Sequence, residues 1–208
     1  VKFEGQAQFH PLKFLRAMAE PLTIYEQTPV QSAEDDQLIT PWGKVKAEHI
    51  VFACHIPFLN VPGMYFAKLH QERSYVLALA NAPQVEGMYI SGEKGGWSFR
   101  NYGEFLLMGG EQHRTGENQQ GGRYERLRQK AREWFPQSRE VYHWSAQDGM
   151  TPDGVPYIGR YAAPRPNWYV AAGFQKWGMT SSMVSALLLA DLIVKGASPW
   201  EPVFSPPR

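Results

Sequence analysis

Apolar positions change their spacing twice along the chain, and each change marks a change of architecture. In the opening stretch, Leu12, Leu15 and Ala19 fall on one face of a short helix that Pro11 suits and Pro21 ends. Leu22–Glu26 reads as a strand, and Gln37–Thr40 and Lys44–Ala47 read as a hairpin turned by Pro41, Trp42 and Gly43. Ile50–Cys54 is a continuous apolar run, the pattern of a strand buried on both faces of a parallel sheet.

From Pro57 the texture shifts to short strands bounded by turn residues: Ser74–Leu79, Gly87–Ser91, Trp97–Arg100 and Glu104–Gly109. That spacing predicts an antiparallel sheet. A helix over Arg123–Phe135 follows, with Tyr124, Leu127, Ala131 and Trp134 at helical spacing and five basic residues interleaved. The basic positions read as a solvated face in preference to an interaction surface. After Trp144 the buried texture returns, with a strand at Trp168–Ala172, a Gly-rich turn and an apolar helix over Met183–Val194. That helix contains Asp191 and falls short of the roughly 20 apolar residues of a membrane span, so it reads as a buried helix of a soluble protein. The middle therefore reads as an insertion into an α/β domain whose pieces flank it.

Composition sharpens this in three ways. Twenty-one Lys and Arg against 20 Asp and Glu leave a net charge of +1, so no global field favours nucleic acid or an anionic membrane. The single Cys54 excludes an internal disulfide framework and any zinc site of several cysteines. His10, His49, His55, His70, His113 and His143 are scattered, with no pair at metal-ligand spacing. The chain reads as folded and cytoplasmic, and its start at Val1 without a Met is that expected of an excised piece.

Two late segments carry the specific chemistry. The first runs from Asp148 to Arg160 and includes Thr151-Pro-Asp-Gly-Val-Pro-Tyr-Ile-Gly159; the second runs from Trp168 through Gly173-Phe-Gln-Lys-Trp-Gly-Met-Thr180 into the apolar helix. A strand, then glycines, then a Thr/Ser cluster at a helix start suits a polar or anionic ligand group. Glycines let the ligand approach the backbone, and the first-turn N–H groups and helix dipole stabilise negative charge. The alternative is an ordinary turn with Thr180 or Ser181 as a helix cap.

Together the two segments resemble the C-terminal part of FAD-dependent oxidoreductases of the D-amino-acid oxidase superfamily, in the glycine- and sarcosine-oxidase-like branch. Thr151–Gly159 is similar to that family's T-x-D-G-x-P-x-I-G signature, and Ala172–Thr180 to its loop against the flavin ring. Tyr25–Val30 and Ile50–His55 resemble the adenine-side strand and the strand end after it. The resemblance implies an α/β (α+β) fold, a partial FAD/NAD(P)-binding Rossmann-like domain interrupted by an antiparallel substrate domain with a flanking helix. Its parts would be residues 1–56 and 148–208 for the flavin domain and 57–147 for the insert. It also implies cofactor contacts at Val30, Ala53, Cys54, His55, Asp153, Gly154, Gly173, Phe174, Gln175, Lys176, Trp177, Gly178, Met179 and Thr180. Substrate-side candidates are Lys176, Asp148, His70, Arg73 and Arg100; Tyr75, Tyr102 and His113 could also turn toward a flavin face.

Two departures bear on substrate. The G-x-G-x-x-G fingerprint that holds the pyrophosphate is not among the 208 residues. Where oxidases of this branch use arginines for a substrate carboxylate, this chain has Asp148 and Lys176. A carboxylate at 148 repels another, and lysine is a point charge without the planar guanidinium fork. Cys54 reads as a buried small hydrophobe.

By resemblance, the nearest group often carries a Rieske iron–sulfur domain after the flavin module, and Val203–Arg208 would suit a linker to one. Such a cluster needs two Cys and two His, which one cysteine does not supply. The expected activity is oxidation of a small amine or amino-acid-like compound by hydride transfer to FAD, followed by imine hydrolysis. The alternatives are a ligand-binding or structural domain without activity, or a dehydrogenase passing electrons to an iron–sulfur partner.

Overall fold

The computed structural model describes residues 4–93, 96–117 and 120–207. They divide into two compact units, Val1–Ala47 and Glu48–Arg208, a boundary that falls inside the segment 1–56 grouped together above.

The first unit holds helix α1 (Pro11–Ala19) and strands β1 (Ser32–Glu34), β2 (Gln37–Thr40) and β3 (Gly43–Lys46). The His10 imidazole caps α1 by accepting from the Lys13 N–H at 3.3 Å. The three strands form an antiparallel sheet in sequence order, with the hairpin turning at Pro41–Trp42. Leu22–Glu26 is not a strand, which corrects the sequence reading. Leu22, Ile24 and Tyr25 are exposed, and the third strand of the sheet is Ser32–Glu34 instead.

The second unit contains β4 (Ile50–Phe52), α2 (Tyr65–Lys68), β5 (His70–Ala80), β6 (Tyr89–Ile90), β7 (Ser98–Tyr102), β8 (Phe105–Arg114), α3 (Arg123–Trp134), β9 (Arg139–Met150), β10 (Tyr157–Ala162), β11 (Arg165–Ala172), α4 (Gly178–Lys195) and α5 (Glu201–Phe204). Two sheets organise it. The larger is antiparallel, in the order β6-β7-β8-β5-β9; the smaller runs β10-β11-β4, with β4 parallel to β11. Segments from either side of the antiparallel sheet thus share one sheet.

One face of the large sheet is closed by α3. Leu77 and Leu79 of β5 and Leu106 and Met108 of β8 pack with Leu127 and Ala131 of the helix, while Trp97, Phe99 and Tyr124 edge the cluster. The helix's five basic residues are solvated and paired with glutamates: Arg123 and Arg126 with Glu111, Arg128 with Glu140, Lys130 with Glu133 and Arg132 with Glu125. Strand β9 is the element the apolar pattern does not announce, because eleven of its twelve residues are partly or wholly exposed, among them charged and polar residues such as Glu140, His143 and Gln147. Its residues lie beside β5 through backbone pairing that side-chain polarity does not reveal.

In the smaller sheet the strand buried on both faces is β11, where Trp168–Ala172 are all buried. Sequence assigned that role to Ile50–Cys54, and the structure corrects it. Ile50 and Phe52 are buried on the Trp168 side, but Val51 is 43% exposed. Val51 pairs with Tyr169 and shares its face, and α4 covers β10 and β11 without reaching β4. Cys54 lies past the strand end and is exposed, also contrary to the buried expectation, although surrounding protein raises its pKa.

Helix α4 is 18 residues long and apolar enough to cross a membrane by length and composition alone. One stripe of it, Leu188, Leu189 and Leu192, is buried against Ile158, Tyr169 and Ala171, while Leu187 and Val194 are exposed. Beyond it, Phe204 of α5 joins the same cluster, so Val203 and Phe204 are helical where a bare linker was expected. Arg208 lies outside the described residues.

Candidate flavin-loop and substrate-face site

The site lies where the ends of β4, β9 and β11 converge. The loop leaving β11 turns at Gly173, whose φ of +72° favours glycine. A Cβ there would stand 2.5 Å from Thr151 Cγ2 and 3.1 Å from Leu69 Cδ2, so a side chain has no room. Gln175 then donates its N–H to the Gly149 carbonyl at 3.0 Å, and Trp177 donates to Phe174 at 2.9 Å. The first of these bonds ties the loop to the end of β9, and the second closes the loop on itself. A Cβ on Gly149 would stand 3.6 Å from the His55 carbonyl oxygen and 3.7 Å from the Gly173 Cα, which brings the end of β4 to the same point.

Lys176 reaches from this loop onto the large sheet. Its Nζ donates to Asp148 Oδ2 at 2.7 Å and to Ser74 Oγ at 2.9 Å. Glu72 faces Asp148 and Ser74 faces Ala146 across the β5–β9 ladder, so these side chains share one face, the face opposite α3. Both members of the pair stay partly open to solvent, and each neutralises the other. Asp148 therefore does not confront a ligand as a bare carboxylate.

The other substrate-side candidates separate by strand alternation. His70 lies on the Lys176 face, 3.7 Å from Glu72, whose carboxylate also accepts from the Gln112 amide. Arg100 lies on that face too, since it pairs with Leu107, which pairs with Ala78. Arg73 points to the α3 side, where it donates to Gln147, which in turn donates to Gln71. Tyr75 and His113 are on that side as well, hydrogen-bonded at 3.1 Å beneath Tyr124. Lys176, Asp148 and Ser74 are brought together; Arg73 is not with them.

The remaining cofactor candidates fall in three places. Asp153 accepts from the Val155 N–H at 3.1 Å and so shapes its own turn, in which Gly154 takes φ +77° and lies beside the Gln175 amide. Ala53, Cys54 and His55 follow β4, with His55 at φ +66°. Trp177, Gly178, Met179 and Thr180 form the start of α4, with Trp177 in the N-cap position, so neither Thr180 nor Ser181 caps the helix. A Cβ on Gly178 would meet open space, unlike one on Gly173. Val30 belongs to the first unit, where it lines a 630 Å³ cavity with Ile24, Tyr25, Leu38 and Trp42.

Two participants were not singled out from sequence. Ser74 is recognisable only once β5 and β9 are paired, since the partner of its hydroxyl comes from a loop 102 positions away. Thr151 sits in the quoted motif, but its role emerges from burial. Its Oγ1 is buried and has no hydrogen-bond partner among the described residues.

A mixed sheet interrupted by a large antiparallel one, with a glycine-turned loop between them, defines the class. The chain belongs to the DAO family of FAD-dependent oxidoreductases, whose pattern matches residues 1–192. It is 37% identical to YhfW of Bacillus subtilis (strain 168), a protein named for a Rieske 2Fe-2S iron–sulfur centre, over 99% of this chain and 43% of that one. Among solved structures, glycine oxidase from Geobacillus kaustophilus aligns with a TM-score of 0.70 and 24% identity, covering 88% of this chain and 53% of that chain. L-Proline dehydrogenase from P. horikoshii aligns with a TM-score of 0.70 and 19% identity, covering 92% and 56%. These structures show the shared fold. The chain spans about half the length of the proteins it matches.

The residues at the loop fit one edge of the family's cofactor. Gly173 has no room for a side chain, Thr151 Oγ1 is an orphaned buried hydroxyl, and the first turn of α4 presents backbone N–H groups without intrahelical partners. That donor set suits the polar edge of a flavin ring.

Proposed function

We propose that the intact protein oxidises an amine or amino-acid-like compound with FAD. In this reading residues 1–56 and 148–208 contribute to the flavin domain and 57–147 to the substrate domain. The observation that carries the proposal is the Lys176–Asp148–Ser74 cluster, which joins the glycine-turned loop to the open face of the antiparallel sheet. FAD, when bound, supplies the acceptance of a hydride equivalent from a substrate carbon. The loop N–H groups and the start of α4 would stabilise negative charge at the ring edge. Lys176, held by Asp148 and Ser74, keeps a fixed cation over the substrate face, and the sheet behind it excludes water from one side.

The resemblance in sequence to YhfW supports a Rieske iron–sulfur domain as electron acceptor in the intact protein. The direct test is the intact flavoprotein under anaerobic conditions, screened with amines and amino acids for bleaching of its flavin absorbance. Bleaching by at least one such compound is expected, and none with any of them would overturn the reading. Peroxide formed on aerobic turnover would identify oxygen as the acceptor in place of an iron–sulfur partner.

Taken alone, these 208 residues are expected to be colourless and catalytically silent. They lack the pyrophosphate fingerprint, and losing several charge-assisted hydrogen bonds worth about 1.5–3 kcal/mol each weakens binding by several orders of magnitude. Titration with FAD should show no saturable fluorescence quenching in the low micromolar range.

A further inference from the structure

We infer that the open face of the antiparallel sheet carries a second recognition point, a subsite at Arg100 for a substrate carboxylate remote from the reacting amine. The inference rests on the amine-oxidising reading above and names the substrate class for it. A cavity of about 310 Å³ opens on this face, lined by Arg100 and Ser98 and walled by Val76, Leu107 and Trp144. Arg100 and Ser98 are two residues apart on β7, so both project to the same side. Among the described residues Arg100 has no hydrogen-bond or ion-pair partner, whereas every arginine and lysine of α3 has a glutamate. Room for the Ser98 hydroxyl is provided by Gly109, where a Cβ would come within 2.5 Å of Ser98 Oγ.

This cavity and the Lys176 cluster belong to one surface. Val76 lines the cavity and lies two positions from Ser74, on the same face of β5. The register Ser98–Gly109–Val76 places Ser98 two strands across and two residues along from Ser74, roughly 12 Å between Cα atoms. Between the two points the surface is apolar. A planar guanidinium matches a carboxylate bidentately, and the Trp144 and Val76 walls suit a methylene chain. The Lys176 cation is already neutralised by Asp148 at 2.7 Å, whereas the Arg100 guanidinium, which lines the cavity, has no such partner among the described residues. The matching compound is an amino acid whose carboxylate is separated from the amine by several carbons.

The test uses the intact flavoprotein and ω-aminocarboxylates from glycine to 8-aminooctanoate, each compared with the alkylamine of equal chain length. The rate of anaerobic flavin bleaching over substrate concentration gives the preference for the carboxylate. The preference should peak at a chain longer than glycine, and Arg100→Ala should reduce it by roughly 10- to 100-fold. Arg100→Lys should restore part of it. Calorimetric titration with pentanoate supplies a readout independent of turnover, and its affinity should fall in both Arg100→Ala and Ser98→Ala. An unchanged preference and unchanged pentanoate affinity in Arg100→Ala would overturn the subsite. Tighter binding of propylphosphonate than of pentanoate would overturn its assignment to a carboxylate. If pentanoate binds through Arg100 but no amine bleaches the flavin, the subsite stands and the amine-oxidising reading fails.

Discussion

The two faces of the antiparallel sheet are built from the same strands and do opposite work. On the α3 side, Leu77, Leu79, Leu106 and Met108 are each at most 1% exposed and meet Leu127. On the other side the same strands present Ser74, Val76, Asp148, Ser98, Arg100 and the 41%-exposed Trp144. Alternation along a strand makes this division possible, because one residue's step reverses the side chain. One face holds the unit together; the other is free to recognise. Residues on the first should govern stability, and residues on the second should govern chemistry with little effect on stability.

The largest effect should come from the covered face. Leu127→Ala opens a cavity among the buried leucines and should cost on the order of 2–5 kcal/mol, read from the midpoint of chemical denaturation. A loss below about 1 kcal/mol would mean that α3 contributes little to the closed face. Next comes the loop that joins the open face to the smaller sheet. Gly173→Val must take a left-handed φ and meet Thr151, which together should cost about 2–4 kcal/mol. In the intact protein it should also lower the flavin-to-protein absorbance ratio, whereas Gly178→Ala, which meets open space, should not.

The smallest effect tests the rim of the covered face. Arg128 donates to both Glu140 oxygens, at 2.7 and 3.0 Å, and holds the Glu140 carboxyl below the ordinary range. A carboxyl whose pKa is depressed by folding adds stability that is present above its unfolded pKa and lost as pH falls through the folded value. Arg128→Ala should therefore cost about 0.5–1 kcal/mol at pH 7, and the difference from the parent should shrink below about pH 4. A pH-independent difference would assign the loss to packing of the Arg128 stem on Tyr124.

What was legible in the sequence follows from the same contrast. The covered face announces itself, because buried leucines at strand and helix spacing need no partner to be recognised. The hairpin at Pro41–Gly43, helices α1 and α3, and the segments around Thr151 and Gly173 are all readable by such local signals. The open face is not. Its strand β9 carries charged and aromatic side chains with little apolar periodicity, and its cluster joins positions 74, 148 and 176, which only register and loop geometry bring together. The same limit grouped Arg73 with Arg100: the strand pattern places both on the sheet, but only pairing shows that Arg73 faces α3. Ile50–Phe52 shows the converse, an apolar run whose middle residue is exposed because the helix covering β11 stops short of it.

If the Lys176 face is the substrate face, one paired measurement shows it. In the intact flavoprotein, the rate of anaerobic flavin reduction by its best amine substrate and the thermal midpoint are measured for Lys176→Ala and Leu79→Val. Lys176→Ala should slow reduction or weaken substrate affinity by about tenfold or more, equivalent to about 1.4 kcal/mol, with the midpoint nearly unchanged. Leu79→Val should lower the midpoint by several degrees and leave reduction intact. Unaltered reduction in Lys176→Ala, with slowed reduction in Leu79→Val, would contradict the assignment.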